Sequence, residues 1–150
     1  MSLLKQIVFV FTLLITATWA HSQTKESTIN KLVRFLDAQE VSGTINENGE
    51  IEFDYEDNHY FITFDNNDPR YIHLYIPNYW PLETDDEFRS AYYACNDASK
   101  EIFGPKAYIK DDHIWVSYEV YLENSDDIQH FLKKCLGNMK LAIDTIYDSM

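Results

Sequence analysis

Hydrophobic and polar positions alternate along the first half of the chain in a way that predicts a β-sheet. Residues 50–56 read Glu-Ile-Glu-Phe-Asp-Tyr-Glu, which directs three apolar side chains to one side of a strand and four acids to the other. Further strands are predicted at 41–45, 60–65 and 71–76, and the turns between them are short and rich in Asn and Asp. Short turns join antiparallel neighbours, so the four strands are expected to form a meander.

Helical spacing predicts three helices around these strands. The first begins at Ser27 or Thr28, and the last begins at Ser125. The second begins at Thr84, whose side chain forms a capping box with Glu87. Each helix has one apolar face, which is typical of helices that pack on a single core.

The remaining segments complete the predicted fold. The second helix ends at Gly104-Pro105, and a hairpin follows with strands at 106–110 and 113–122. Pro77 and Pro81 bracket a predicted loop, because neither proline fits a continuing ladder. The order helix, strands, helix, hairpin, helix predicts an α+β fold with an antiparallel sheet of five to six strands.

The first 22 residues have the layout of a secretory signal peptide. Lys5 supplies a positive start, residues 7–20 are an uncharged and mostly apolar run, and a small-x-small cleavage site ends at Ser22. A run of fourteen residues is too short to span a bilayer comfortably. We therefore expect residues 23–150 to form one periplasmic or secreted domain that is free of the membrane after cleavage.

The charge of the chain narrows the choice of partners. The full chain has 12 basic and 25 acidic side chains; removing residues 1–22 takes away one base, Lys5, and no acid, which leaves a formal charge of −14. A field of this sign repels nucleic acid phosphates and anionic lipid, and it favours basic or neutral partners. Because the acids are scattered, they also fit a well-hydrated surface.

Two cysteines, Cys95 and Cys135, lie on the apolar stripes of the second and third predicted helices. An oxidising compartment permits a disulfide between them, which the chain-entropy model values at about 4 kcal/mol. A bridge needs α-carbons within about 7 Å, whereas free cysteines at such positions behave as small hydrophobes. A disulfide and two buried thiols are both open alternatives at this point.

The strand pattern also predicts an aromatic surface. If Ile72, Leu74 and Ile76 face the helices, then their neighbours face away, and the same alternation applies to the strand of the later hairpin. An aromatic face with histidine and acids interleaved is typical of recognition surfaces; the alternative is that a helix or a second copy covers it. The candidate binding residues, two of which belong to the proline loop, are Tyr71, His73, Tyr75, Tyr79, Trp80, Trp115 and Tyr121.

The sequence contains no recognisable catalytic motif. The four glycines, at 43, 49, 104 and 137, form neither a phosphate-binding loop nor a serine elbow. There is no His-Glu-x-x-His pair, and neither cysteine has a partner at zinc-finger spacing. We therefore expect no catalytic residue, no metal and no cofactor.

Three sequence features are shared with a known family. The acidic strand at 50–56 follows one amphipathic helix, and Asn96 precedes Lys106 by about ten residues. A long C-terminal helix follows a strand whose alternating apolar residues are Ile114, Val116, Tyr118 and Val120. Over residues 23–150 these features resemble the YbjN-like family, whose fold is that of the type III secretion chaperones.

The resemblance implies a non-enzymatic domain that binds protein or peptide, often as a dimer. The secretion chaperones are cytoplasmic, whereas this chain carries a predicted export signal. Only the fold and the binding of protein or peptide are therefore expected to apply to this chain. We expect an exported module with a protein or peptide partner, and the chain is a candidate homodimer. The alternatives are a small periplasmic hydrolase or metal-dependent enzyme, and an acidic inhibitor or immunity-type protein.

The mass of the exported protein tests the predicted signal peptide. We predict a mature chain that begins at Gln23, because the small residues at 20 and 22 fit a signal peptidase. Intact-mass spectrometry of the exported protein measures this directly. An exported chain that still holds residues 7–20 would contradict the predicted compartment.

Overall fold

A computed structural model describes residues 26–65, 68, 70–123 and 127–150 of the chain. Residues 1–22, the predicted signal peptide, lie outside the described residues. Among those described, no helix is both long and apolar enough to cross a bilayer. In chain order the elements are α1 (26–38), β1 (Gly43–Ile45), β2 (Ile51–Tyr55), β3 (Asn58–Phe64), β4 (Tyr71–Pro81), α2 (Asp85–Glu101), β5 (Lys106–Lys110), β6 (His113–Tyr121) and α3 (Ile128–Ser149).

The six strands form one antiparallel sheet in the order β1-β2-β3-β4-β6-β5, which confirms the predicted α+β fold. The strands β1 to β4 make the predicted meander, and β6 then pairs with β4. Two-residue turns close the β2–β3 and β5–β6 hairpins at Glu56-Asp57 and Asp111-Asp112, where both residues have positive φ. Primed turns of this kind match the twist of the strands they join.

The helices pack on one face of the sheet, and the alternation of each strand decides which side chains they bury. On β4, Ile72, Leu74 and Ile76 are at most 4% exposed, as predicted. The helix α2 contributes mainly small residues to the same core, among them Ala91 and Ala94, so its backbone approaches the sheet closely. The other strand residues buried on this face are Ile51, Phe53, Tyr60, Ile62, Phe64, Ile114, Val116 and Tyr118.

The start of α2 confirms the predicted capping box. The Thr84 side chain accepts a hydrogen bond from the backbone N–H of Glu87 at 3.3 Å, and the Glu87 carboxylate accepts one from the backbone N–H of Thr84 at 2.9 Å. These bonds satisfy donors that a helix end otherwise leaves free. The predicted stop is also present, since α2 ends at Glu101 and Gly104 turns the chain with a φ of 110°.

The predicted N-cap of α1 is wrong, and the predicted N-cap of α3 lies outside the described residues. Ser27 and Thr28 are already helical, so neither is the N-cap of α1, and Thr28 is buried. Hydroxyl residues are tolerated inside helices, so they do not mark a start on their own. Ser125, the predicted cap of α3, lies outside the described residues; the helix begins at Ile128 after Asp127, whose side chain makes no capping bond.

The predicted loop between the two prolines is wrong, because β4 continues to Pro81. Ile76 pairs with Val116 and Trp80 pairs with Ile114, so three residues of β4 oppose one of β6. This is a β-bulge, and Asn78 within it has a positive φ of 51°. Residues inside a bulge do not have to donate a backbone hydrogen bond to the neighbouring strand. Pro77, which has no backbone N–H, therefore does not end the strand.

Cys95 and Cys135 are free thiols in this structure. Of the two alternatives that the sequence left open, the structure therefore contains two buried thiols and not a disulfide. Both side chains are buried in the core, on α2 and α3 respectively. Burial raises the pKa of the Cys95 thiol to about 11 and also raises the pKa of Cys135. The two residues therefore pack as small hydrophobes.

Two glycine substitutions should change stability in opposite directions. A Cβ at Gly104 would collide with the ring of Tyr118, and its positive φ disfavours any side chain. We expect Gly104→Ala to lower the free energy of unfolding by about 2–4 kcal/mol. Gly137 lies in α3 with nothing within 4 Å of an added Cβ, so Gly137→Ala should raise it by about 1 kcal/mol. Urea unfolding of both variants measures these changes in the free energy of unfolding. Equal changes in the two variants would contradict the close packing of Tyr118 against Gly104.

The thiols give a second stability prediction. We expect Cys135→Ala to lower the free energy of unfolding by about 1–2 kcal/mol, because it leaves a small cavity in the core. Reductant should leave the stability of the native protein unchanged. A loss of about 4 kcal/mol in the variant, matched by reduction of the native protein, would instead reveal a disulfide. Thiol counting on unfolded protein, with and without reductant, provides the control.

Candidate functional site

The face of the sheet opposite the helices, here called the outer face, carries the candidate site. On β4 the buried Ile72 and Leu74 alternate with Tyr71, His73 and Tyr75, which are partly buried and point away from the helices. This confirms the predicted orientation of β4. Beyond β4 the outer face consists of Thr44, Glu52, Asp54, His59, Phe61, Thr63, Lys106, Tyr108, Lys110, His113, Trp115, Ser117, Glu119 and Tyr121, together with Glu50 just before β2.

Four rings form a continuous stack across four strands of this face. Phe61 on β3 stacks on Tyr75 with centroids 5.4 Å apart, and Tyr75 stacks on Trp115 of β6 at 6.0 Å and 7°. Trp115 in turn stacks on Tyr108 of β5 at 6.4 Å. We call these four residues the aromatic ladder. Directly paired and diagonal cross-strand neighbours lie within reach of such rings, so the strand register produces the ladder.

The hydroxyl of Tyr75 is held in place by a carboxylate. It donates a hydrogen bond of 2.7 Å to Glu50, which also accepts one of 2.9 Å from the side-chain amide of Asn46. Burial raises the pKa of Glu50, but these bonds outweigh burial, so its pKa lies below the usual value. Burial and the bond to Glu50 both raise the pKa of Tyr75. At neutral pH the pair is therefore a carboxylate that accepts from a neutral phenol.

His73 lies against the ladder as a neutral ring. Its imidazole stacks on Tyr75 with centroids 4.7 Å apart. Burial lowers the pKa of His73, and the nearby charge of Glu119 offsets this only in part. Because the net shift is downward from about 6.5, the ring is uncharged at pH 7. His73 thus contributes a flat aromatic surface and a hydrogen-bonding edge.

The two sides of the outer face, on β2 and on β5, carry opposite charges. Three acids, Glu50, Glu52 and Asp54, lie along β2 or beside its start. Lys106 and Lys110 lie at the two ends of β5. The charges sit on opposite sides of the aromatic ladder, so the face is polarised across its strands.

The lysines of β5 also contact the face itself. The Nζ atom of Lys106 lies 2.9 Å from the carboxylate of Glu119, and that of Lys110 lies 4.2 Å from the centroid of the Trp115 ring. The indole Nε1 of Trp115 is buried and has no hydrogen-bond partner among the described residues. Stacking and a cation–π contact, rather than hydrogen bonds, therefore hold this ring.

Tyr121 and Tyr71 lie at the far end of the face, where they pair across β4 and β6. The Tyr121 hydroxyl donates to Asp68 at 3.0 Å, and the guanidinium of Arg70 lies 4.7 Å from the ring centroid. Arg70 also donates to Asp68 at 2.8 Å and keeps the pKa of that carboxyl well below its usual range. Tyr121 remains 49% exposed, so it extends the outer face toward solvent.

Tyr79 and Trp80 are not part of the outer face. Both are partly buried against the hydrophobic core, and the Trp80 ring lies 6.1 Å from that of Tyr147 on α3. Trp80 pairs with Ile114, whose side chain is buried on the helix side. Of the predicted binding residues, the structure therefore brings together Tyr71, His73, Tyr75, Trp115 and Tyr121. It separates from them Tyr79, which lies in the bulge, and Trp80, which follows it.

Two rings of the aromatic ladder, Phe61 and Tyr108, are not among the binding residues predicted from the sequence. Both could have been found by the same alternation, since Phe61 lies between the inward Tyr60 and Ile62 of β3. Tyr108 likewise lies between Ala107 and Ile109, which pack against the core. Within the described part of the chain, no group of three or more His, Cys, Asp or Glu side chains is placed to hold a metal ion.

Comparison with known proteins identifies the fold. No model of a protein family matches the chain, and no curated protein does either. The crystal structure of YbjN from E. coli, a proposed transcription regulator, superimposes with a TM-score of 0.56 at 11% sequence identity. The match covers 77% of this chain and 89% of YbjN. The predicted YbjN-like fold is therefore confirmed.

Proposed function

Because the chain has a YbjN-like fold, we propose that it is an exported, non-enzymatic module that binds protein or peptide through its outer face. The observation that carries this proposal is the aromatic ladder of Phe61, Tyr75, Trp115 and Tyr108, which spans four strands on the side away from the helices. Aromatic side chains are enriched in protein interfaces because they bury a large area with few rotatable bonds.

The polar groups around the ladder suit binding better than catalysis. Glu50 is occupied by Tyr75 and Asn46, and Glu119 is occupied by Lys106. A general base needs a free lone pair directed at a substrate, whereas these carboxylates already accept bonds from within the chain. They serve to hold the rings in fixed orientations, which lowers the entropy lost when a partner binds.

The proposed compartment is the periplasm or the extracellular space, as residues 1–22 indicate. The charge of the mature chain favours a neutral or basic protein partner over nucleic acid. The acids of β2 would attract basic side chains to one side of the outer face, while the neutral rings at its centre supply most of the buried area.

Capture of exported proteins on the immobilised mature chain tests this role. We expect a protein retained by the native chain to be lost by the double variant Tyr75→Ala/Trp115→Ala, because two central rings of the ladder are removed. Tyr and Trp are enriched among the interface residues whose truncation weakens binding more than about tenfold. The variant should keep a cooperative thermal transition, since both side chains lie outside the core cluster.

The matched control is Tyr92→Ala/Tyr93→Ala on α2, which removes two aromatics that are 67% and 61% exposed on the helix side of the molecule. It should retain the captured protein. Loss of the protein by both variants, or by neither, would contradict a binding role for the outer face. Unfolding of the Tyr75→Ala/Trp115→Ala variant would show that these rings belong to the core instead.

A further inference from the structure

A cleft lies between α2 and the edge strand β5, beside the outer face. Its volume is about 410 Å³, which is within the range of small-molecule sites. One wall is formed by Tyr92, Cys95, Asn96 and Ser99 of α2, and the other by residues 107–109 of β5. These walls contain no Asp, Glu, Lys, Arg or His, and burial raises the pKa of the Cys95 thiol to about 11. The cleft therefore suits an uncharged ligand.

Part of the β5 edge is closed by a hydroxyl from α2. The Oγ atom of Ser99 accepts a hydrogen bond of 2.9 Å from the backbone N–H of Ala107 and donates one of 3.4 Å to the carbonyl oxygen of the same residue. Ala107 therefore directs both backbone groups away from β6 and toward the cleft. A donor and an acceptor that are close together can thus bond with both backbone groups of one strand residue.

Two residues further along β5, Ile109 has the same orientation without such a partner. Backbone groups alternate along a strand, and Lys110 and His113 form the pair that closes the β5–β6 turn. Ile109, like Ala107, therefore directs its N–H and C=O away from β6. Among the described residues, neither group of Ile109 has a hydrogen-bond partner. Because Ile109 lines the cleft, one donor and one acceptor lie side by side on its wall.

We propose that this cleft binds a small, uncharged, planar heterocycle that contains a cyclic amide. The N–H and C=O of a cyclic amide lie on the same side of the ring, so they can pair with the C=O and the N–H of Ile109. In a peptide bond the two groups point in opposite directions because the bond is trans, so a single peptide group cannot make both bonds. Binding in the cleft is independent of the proposed role of the outer face.

The side chains of the cleft favour a flat ring. Tyr92 and Tyr108 line it from α2 and from β5 respectively, and aromatic side chains bind flat heterocycles by stacking. The side-chain amide of Asn96 can donate a hydrogen bond to a second carbonyl group of such a ring. The negative charge of the chain repels phosphate, so we expect the free heterocycle or an uncharged conjugate rather than a nucleotide.

Titration of the purified exported chain with uracil, followed by amide NMR, tests the site. We expect the signal of the Ile109 backbone N–H to shift and saturate, with a dissociation constant of about 1 mM for a probe of this size. The amide signal of Glu52, on the far side of the sheet at β2, should not move. The control probe is dimethyluracil, methylated at both ring nitrogens. It lacks an N–H, so it should bind about tenfold more weakly or worse.

Two neighbouring tyrosines provide a variant and its matched control. Tyr92 lines the cleft and Tyr93 does not, although they are similarly exposed, at 67% and 61%. We expect Tyr92→Ala to weaken uracil binding about fivefold or more through the loss of stacking. Tyr93→Ala should leave the dissociation constant within about twofold of the native value. Both side chains are exposed on α2, so both variants should keep the native thermal transition.

Three results would overturn the heterocycle site. The first is an Ile109 amide signal that does not move even near the solubility limit of uracil. The second is equal binding of uracil and dimethyluracil, which would show that the backbone groups of Ile109 are not used. The third is an equal effect of Tyr92→Ala and Tyr93→Ala. None of these results bears on protein capture by the outer face, which is tested separately.

Discussion

The described helices all pack on one side of the six-stranded sheet, so no helix of the described residues covers its other side. Every inward residue then has an outward neighbour, because strand side chains alternate with a period of two. On β4 this rule buries Ile72 and Leu74 and turns His73 and Tyr75 outward. The outward rings partly shield one another by stacking, so the aromatic ladder is the way in which this sheet limits the apolar area that it presents to water.

Charged groups on both sides fix the rings of the ladder. Glu50 holds the hydroxyl of Tyr75, and Lys110 lies over the ring of Trp115. Exposed charge pairs add little stability on their own, but here they restrict the tilt of large side chains that would otherwise have several orientations. A surface ordered in this way before binding loses less entropy when a partner arrives. The same charges give the outer face its polarity.

The bulge in β4 divides the rings of this strand between the outer face and the core. Plain alternation along this strand would direct Tyr79 outward with Tyr75, yet Tyr79 lies in the bulge and packs against the core instead. Trp80 then meets Tyr147 on α3 and closes that end of the core. One strand thus supplies rings to both layers, and Pro77 is tolerated because it lies where the ladder is interrupted.

The sequence alone determined the features that depend on near neighbours along the chain. The outward direction of Tyr71, His73 and Tyr75 follows from the period of 2 residues in a strand, and the capping box follows from the spacing of Thr84 and Glu87. The order of elements, together with the sequence features shared with the YbjN-like family, predicted the fold.

The tertiary structure decided which distant residues meet. The stacking of Phe61 on Tyr75 and of Trp115 on Tyr108, the bulge that turns Tyr79 inward, and the burial of two separate thiols all depend on strand register and helix packing. Register is set by turns and by the shared core rather than by local propensity, so spacing within one strand carries no information about it.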